Sequence, residues 1–271
     1  MTLIEFLKLC LIGLIQGFTE PLPISSSAHM IILGNIFNLS TNDLNFEIFI
    51  NFASTLAIII FFREKIFHLI KNVFINKPTK YSYLNRSFMF KLIVASIPTI
   101  IVGLFFKDFI EKYFMNISFI GISLLITSFI NFSIFLFLKM KKIFTDEISY
   151  LDSLSIGLMQ SIALLPGISR SGATIFGGTS RNVSLQKSFD FSFFLYLIAS
   201  IGALILSLFD NSKQLVLNLD FKILIPFIIA FISTFFSIKL FFGKLNKKTF
   251  LFFSIYTFLI GTLIITFWAF A

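Results

Sequence analysis

The sequence predicts an all-α polytopic membrane protein of two inverted repeats, each a re-entrant helical hairpin followed by three transmembrane helices. Three observations carry this. First, the 271 residues are 57% hydrophobic and only 13% charged, with a mean hydropathy of +0.95. Soluble domains carry about 25% charged residues, so too little polar side chain exists to cover a soluble globule, and a cytosolic enzyme is excluded. Second, apolar runs of membrane-spanning length recur along the chain. Third, a motif near residue 13 returns 144 residues later.

A membrane helix needs about 20 mostly apolar residues. Taken in order, the chain opens with an interrupted stretch. Leu3–Ile15 runs into Gln16, Glu20, Pro21 and Pro23, then resumes at Ala28–Leu39. Neither piece is long enough to span, so the pair reads as a hairpin that enters and leaves on one side. Glu5 stands where a signal peptide needs basic residues, and no A-x-A site follows, which argues against a cleaved leader. Spans are expected near Glu47–Phe62, Phe88–Phe106 and Ile117–Leu138. A second interrupted stretch, Leu151–Leu165 broken by Pro166, Gly167 and Arg170 and resuming at Gly172–Ser180, is the second hairpin. Spans near Phe189–Phe209, Phe221–Phe242 and Phe250–Phe270 complete the chain. Irregular backbone at membrane depth is tolerated only where protein or a wet cavity covers it.

The charges orient these elements. The net charge is +9, and 16 of the 22 basic residues lie in four connectors: Arg63, Lys65, Lys71, Lys77, Lys80, Arg86 and Lys91; Lys139, Lys141 and Lys142; Arg181 and Lys187; Lys239, Lys244, Lys247 and Lys248. One topology puts all four on the same side, which the positive-inside rule makes cytoplasmic. Lys8, Lys107, Lys112, Lys213 and Lys222 fall opposite, and Arg170 alone lies within the membrane. Topology thus explains the basic excess, and nucleic-acid binding has no support.

The repeat is explicit in the residues. Gly13-Leu14-Ile15-Gln16 matches Gly157-Leu158-Met159-Gln160, and Ile24-Ser25-Ser26-Ser27 matches Ile168-Ser169-Arg170-Ser171. The halves run about 1–142 and 143–271. Three spans is an odd number, so the halves face opposite ways and the hairpin tips can meet. Paired interrupted helices at corresponding places in two halves point to a binding site.

Glu20, His29 and Arg170 all lie in these hairpins. A charge at bilayer depth costs about 2.5–3.5 kcal/mol on insertion scales and usually pairs or marks a pathway. An ion pair of Glu20 with Arg170, clamping the hairpins, is the plain structural explanation. Small hydroxyl residues also let helices pack closely. Neither accounts for the joint set. Ser25, Ser26 and Ser27 precede His29, while Ser169, Ser171 and Thr174 flank Arg170. A guanidinium binds phosphate oxygens bidentately. Hydroxyls and backbone N–H groups at a helix start suit an anion. A carboxylate and an imidazole can transfer protons. Gln16 shares a helix face with Glu20, four residues on. These are parts for handling a phosphate at a membrane.

At these residues the chain resembles the undecaprenyl-diphosphate phosphatases, the bacitracin-resistance phosphatases. Gln16-Gly17-Phe18-Thr19-Glu20, followed by Leu22-Pro23-Ile24-Ser25-Ser26-Ser27-Ala28-His29, is similar to the family's first signature. Pro166-Gly167-Ile168-Ser169-Arg170-Ser171-Gly172-Ala173-Thr174 is similar to the second. The resemblance covers essentially the whole chain. It implies hydrolysis of undecaprenyl diphosphate to undecaprenyl phosphate and phosphate, recycling the carrier for peptidoglycan and other envelope polymers. It also implies bacitracin resistance, a bacterial plasma membrane location and a site open to the outer face. By resemblance, Glu20, His29 and Arg170 fall on essential positions, and Ser26 on the nucleophile or phosphate-binding serine. Gln16 falls on a position that is Glu or Gln. Pro21 stands where Phe is usual, Ala28 where Gly is usual, and Ile198-Ala199-Ser200 lacks an expected Pro.

The expected roles follow. Glu20, Ser26, His29 and Arg170 are catalytic, with Glu20 and His29 sharing base and acid work. Gln16, Ser25, Ser27, Ser169, Ser171 and Thr174 bind substrate. A divalent cation, Mg²⁺ first, would sit on Glu20 and phosphate oxygens, since Gln16 cannot supply a second ionised carboxylate. The partners are the polyprenyl diphosphate and membrane lipid; homo-oligomerisation is left open. The rival reading is a transporter or flippase for a polyprenyl phosphate, because inverted repeats with broken helices also suit transport. Of the remaining polar positions, His68 reads as solvated. Glu47 and Asp190 read as caps of span starts, Glu47 with a substrate or metal role as the alternative. Trp268 and Tyr256 read as interface anchors or packing, and Cys10 as core filler.

Overall fold

A computed structural model describes residues 2–38, 44–74, 80–140, 143–209 and 221–270. These residues form twelve helices. The first hairpin is α1 (Leu3–Thr19) and α2 (Ser26–Phe37); the second is α8 (Tyr150–Ile162) and α9 (Arg170–Ser180). Between them run α3 (Leu44–Phe61), α4 (Arg63–Phe74), α5 (Lys80–Phe105), α6 (Lys107–Phe114) and α7 (Ile117–Met140). After them come α10 (Leu185–Phe209), α11 (Phe221–Phe241) and α12 (Lys247–Phe270).

Among the described residues, five helices (α5, α7, α10, α11 and α12) are long and apolar enough to cross a membrane, so the chain is a multi-pass membrane protein. The first expected span is α3, whose fully described part, Phe49–Phe61, is apolar. Ile50, Ala53, Ala57 and Ile58 are at most 1% exposed, and α3 packs against α11, α1 and α10. A helix wrapped by protein tolerates polar residues such as Asn51 that lipid would not. Two helices were hidden in the expected connectors. In α4, Leu69 packs inward while Phe67, Ile70, Arg63 and Lys71 are exposed, the two-faced pattern of an interfacial helix. Short α6 exposes Phe109 and Tyr113 beside its charged residues. Lys77, Lys141, Lys142 and Lys213, and the side chains of Lys80 and Lys222, lie outside the described residues.

Each hairpin starts with a capping box. Thr2 Oγ1 accepts from Glu5 N, and Glu5 accepts from Thr2 N; Ser149 and Asp152 repeat the arrangement. Close backbone approach sets the packing of α1. A Cβ on Gly13 would stand 2.5 Å from Pro226 O of α11, and one on Gly17 would strike Ala230 O, the small-xxx-small contact of membrane helices. Gly157 of α8 meets Ala95 of α5 in the same manner.

Asp152 also ties the second hairpin's ends together, since Arg181 Nε donates to its Oδ1 at 3.0 Å. Burial pushes the Asp152 carboxyl up, but hydrogen bonds from Ser149 and the Arg181 charge outweigh it and hold the carboxyl below its ordinary value. A depressed folded pKa contributes stability above the unfolded pKa of about 3.9, lost as pH falls through the folded value. Asp152→Asn is therefore expected to unfold at a lower temperature than wild type at pH 7. The gap should close below pH ~4, as read by thermal unfolding in detergent across that range.

Candidate active site

The site is built from the two hairpin turns. In the first, Pro21 and Pro23 stop α1, and Leu22 N bonds Thr19 O at 3.0 Å. Ser25 then takes φ 67° and ψ 92°, and its Oγ accepts from Ala28 N to cap α2. In the second, Gly167 takes φ 91°, and a Cβ there would lie 2.5 Å from Ser123 Cβ. Ser169 Oγ caps α9 through Gly172 N. Two residues of α7 hold both turns. Asn131 Nδ2 donates to Pro23 O at 2.7 Å. Thr127 Oγ1 donates to Gly167 O at 2.9 Å and accepts from Ser169 N at 3.0 Å. The turns also touch directly, because Gly167 N donates to Ser27 Oγ at 3.3 Å. The hairpin tips thus meet, as the repeat led us to expect.

A cavity of about 150 Å³ opens where they meet. Eight of the ten expected site residues line it: Gln16, Glu20, Ser25, Ser26, Ser27, Ser169, Arg170 and Ser171. Glu20 is the hub. Its Oε2 accepts from Gln16 Nε2 at 2.8 Å and from the Ser26 hydroxyl in a very short contact. Its Oε1 lies 4.0 Å from Arg170 Nη2. Arg170 makes closer contacts elsewhere. Nη1 donates to Ser200 Oγ at 3.3 Å, and the guanidinium carbon sits 4.7 Å from the centroid of the Tyr196 ring. Among the described residues, Glu20 and Arg170 are the only charged ones lining the cavity. The hydroxyls form local pairs, Ser25 with Ser27 at 3.1 Å and Ser169 with Ser171 at 3.3 Å. Ser26 and Arg170 are the first residues of α2 and α9, so the unsatisfied N–H groups of two helix starts converge here.

Two expected residues stand beside the cavity rather than in it. Thr174 is fully buried, donates to Arg170 O at 2.8 Å and meets Ser192 Oγ at 2.5 Å. His29 faces α12. Its Nδ1 is 2.7 Å from Ser25 O and its Nε2 is 2.7 Å from the Tyr256 hydroxyl. A carbonyl only accepts, so Nδ1 carries the proton, and in the neutral ring Nε2 accepts from Tyr256. Tyr256 is therefore a partner of the histidine, more than an anchor.

Sequence reasoning missed Asn51, Ser192, Tyr196 and Ser200. Asn51 lines the cavity, and its Oδ1 accepts from Gln16 Nε2 at 2.5 Å. The signal was present: Ser192, Tyr196 and Ser200 recur every four residues along apolar α10, one face of a helix. Asp190 does not cap α10. It sits a turn inside and accepts from Lys65 Nζ at 3.0 Å and Gln186 Nε2 at 3.3 Å. His68 is exposed on α4, and Cys10 is half-buried. The side chains of Glu47 and Trp268 lie outside the described residues.

Comparison with known proteins adds to this geometry. Residues 9–263 match the family model described as bacitracin resistance protein BacA. Undecaprenyl-diphosphatase 2 of Bacillus thuringiensis (strain Al Hakam) is 38% identical over 267 residues, spanning 96% of this chain and 97% of the relative. Undecaprenyl-diphosphatase of Acholeplasma laidlawii is 36% identical, covering 97% and 98%. Undecaprenyl-diphosphatase 1 of Bacillus licheniformis is 35% identical, covering 98% and 100%.

Proposed function

The chain belongs to the bacitracin resistance protein BacA family and is an undecaprenyl-diphosphatase, and we propose that it cleaves the diphosphate in the cavity between Glu20, Ser26 and Arg170. The observation that carries the site assignment is the hydrogen bond from the Ser26 hydroxyl to Glu20, with Arg170 beside the same carboxylate. A nucleophile, its base and an anion clamp share one small cavity.

The diphosphate enters the cavity while the polyprenyl tail stays in lipid. Arg170 and the N–H groups at the starts of α2 and α9 hold the phosphate oxygens and stabilise charge in transfer. Ser26 Oγ bonds to the terminal phosphorus as the bond from phosphorus to the bridging oxygen breaks. The Ser26 proton passes to Glu20 and from it to the departing undecaprenyl phosphate, which leaves Glu20 ionised again. Glu20 then takes a proton from water, whose oxygen bonds to phosphorus as the Ser26 Oγ–phosphorus bond breaks, and returns that proton to Ser26 Oγ as inorganic phosphate leaves. Glu20 is thus the base in both steps. His29 is a positioning residue: it pins the Ser25 carbonyl and so fixes how the chain enters α2 at Ser26.

Mg²⁺ fits the residues present. It takes one or two carboxylates plus substrate oxygens and retained waters. Glu20 is such a carboxylate, and Gln16 Oε1 beside it is a buried carbonyl oxygen with no donor. Among the described residues no three His, Cys, Asp or Glu side chains come together, so a cage built wholly from these side chains is not what the site resembles. When bound, the ion would neutralise phosphate charge.

The architecture reads as two inverted repeats. The Ser25 and Ser169 caps, each paired with the hydroxyl two residues on, support this. So does reciprocal packing: α1 lies on α11 as α8 lies on α5, and α7 lies on α12. The charge bias supports cytoplasmic basic connectors, and the family likeness supports a cavity open to the outer face of the bacterial plasma membrane.

The test is phosphate release from undecaprenyl diphosphate by detergent-purified protein, where no gradient exists to drive a transporter. Steady release is expected, falling at least ~10-fold with a chelator and returning with Mg²⁺. Absence of release from folded protein with Mg²⁺ present would favour transport of a polyprenyl phosphate instead.

A further inference from the structure

We propose that Tyr196 is a positioning residue for Arg170, its ring serving as a platform that aims the guanidinium into the cavity. This rests on the reading that Arg170 binds phosphate. Arginine is long and flexible, and about a third of its side chain is exposed to the cavity. Its partner Glu20 is 4.0 Å away, too far for a hydrogen bond. Something else must hold the group, and α10 supplies it. The Tyr196 ring lies 4.7 Å from the guanidinium carbon, well within cation–π reach. Ser200, one turn further along α10, accepts from Nη1 at 3.3 Å.

The platform is itself anchored. Thr55 Oγ1 donates its single proton to Asn51 O at 2.9 Å. Its contact with the Tyr196 hydroxyl at 3.2 Å must therefore have the phenol as donor. Tyr196 is only 9% exposed, so its ring has little freedom to turn. Helix α3 thus fixes the phenol, the phenol ring supports the guanidinium, and the donors not used by Ser200 stay available for an anion. A planar, weakly hydrated guanidinium stacks well on an aromatic face. The match is also chemical: pairing fully with a carboxylate would consume the donors that phosphate needs.

Three substitutions separate ring from bulk. Tyr196→Phe keeps the ring and loses the tether. Tyr196→Leu and Tyr196→Met keep apolar bulk and lose the ring. All are assayed for phosphate release in detergent beside wild type and Arg170→Ala, with thermal unfolding measured on each. Tyr196→Phe is expected to lose about 3-fold in kcat/KM, by loss of one modest hydrogen bond. Leu and Met are expected to lose about 30-fold, mainly in kcat, as stacking is lost and the guanidinium strays from the transition state. Inhibition by inorganic phosphate should weaken in parallel, and Phe should restore both. A ring-free variant that folds like wild type and keeps its turnover and phosphate inhibition overturns the proposal, as does Phe failing as badly as Leu and Met. Full turnover by Arg170→Ala would instead overturn the assignment of the arginine itself.

Discussion

Arg170→Ala, purified in detergent, is expected to release phosphate from undecaprenyl diphosphate about 10²–10³-fold more slowly than wild type. That range corresponds to about 3–4 kcal/mol of lost transition-state stabilisation. Among the described residues lining the cavity, the guanidinium is one of two charges and the only positive one. It cannot be deprotonated, and its fork matches phosphoryl oxygens. Arg170→Lys keeps charge but loses the fork and is expected to fall about 10-fold. The competing explanation, a salt bridge that merely clamps two hairpins, makes a different forecast. Because the Glu20 side chain is only 5% exposed, loss of the arginine from a merely structural pair would reduce stability while leaving turnover per folded molecule intact. The hairpin tips already have their own fasteners in Thr127, Asn131 and the Ser27–Gly167 bond. Turnover by Arg170→Ala within about 2-fold of wild type, with a normal substrate KM, would contradict the phosphate-binding role.

Much of the fold was legible because lipid imposes a simple rule: backbone must be helical or covered. Apolar runs therefore exposed the long helices, and Pro21, Pro23 and Pro166-Gly167 exposed the two turns. Helices α4 and α6 escaped because charged residues occupy one face of each, and charge was read there as connector. At the site, Glu20, Ser26 and Arg170 stood out as polar groups in apolar surroundings. Their placement in one cavity depends on Thr127 and Asn131 of α7, more than 100 residues from the first turn, and no local pattern announces such a contact. His29 shows the limit from the other direction. The sequence marks His29 as a proton-transfer group, but its two ring nitrogens are taken up by the Ser25 carbonyl and by Tyr256 of α12, a partner 227 residues away.

Ser26→Ala carries the other large expected effect. Ser26 is the residue at which a covalent bond to phosphorus is proposed, and its hydroxyl already lies against Glu20. Removing it leaves Glu20, Arg170 and the helix starts in place, so direct attack by water at a reduced rate is all that remains. The expected loss is about 10³-fold or more in kcat, with substrate KM changed far less. Ser25→Ala and Ser27→Ala should do less to kcat. Ser25 caps α2 through Ala28 N and Ser27 accepts from Gly167 N; both losses act first on stability, by about 1 kcal/mol for a cap. The account of this site is tested most directly by rapid acid quench of the purified enzyme during turnover of undecaprenyl diphosphate labelled in its terminal phosphate, followed by peptide mapping. Label is expected on Ser26 in wild type and absent in Ser26→Ala. Rapid turnover with no label on Ser26 at any quench time, together with near-normal turnover by Ser26→Ala, would contradict it.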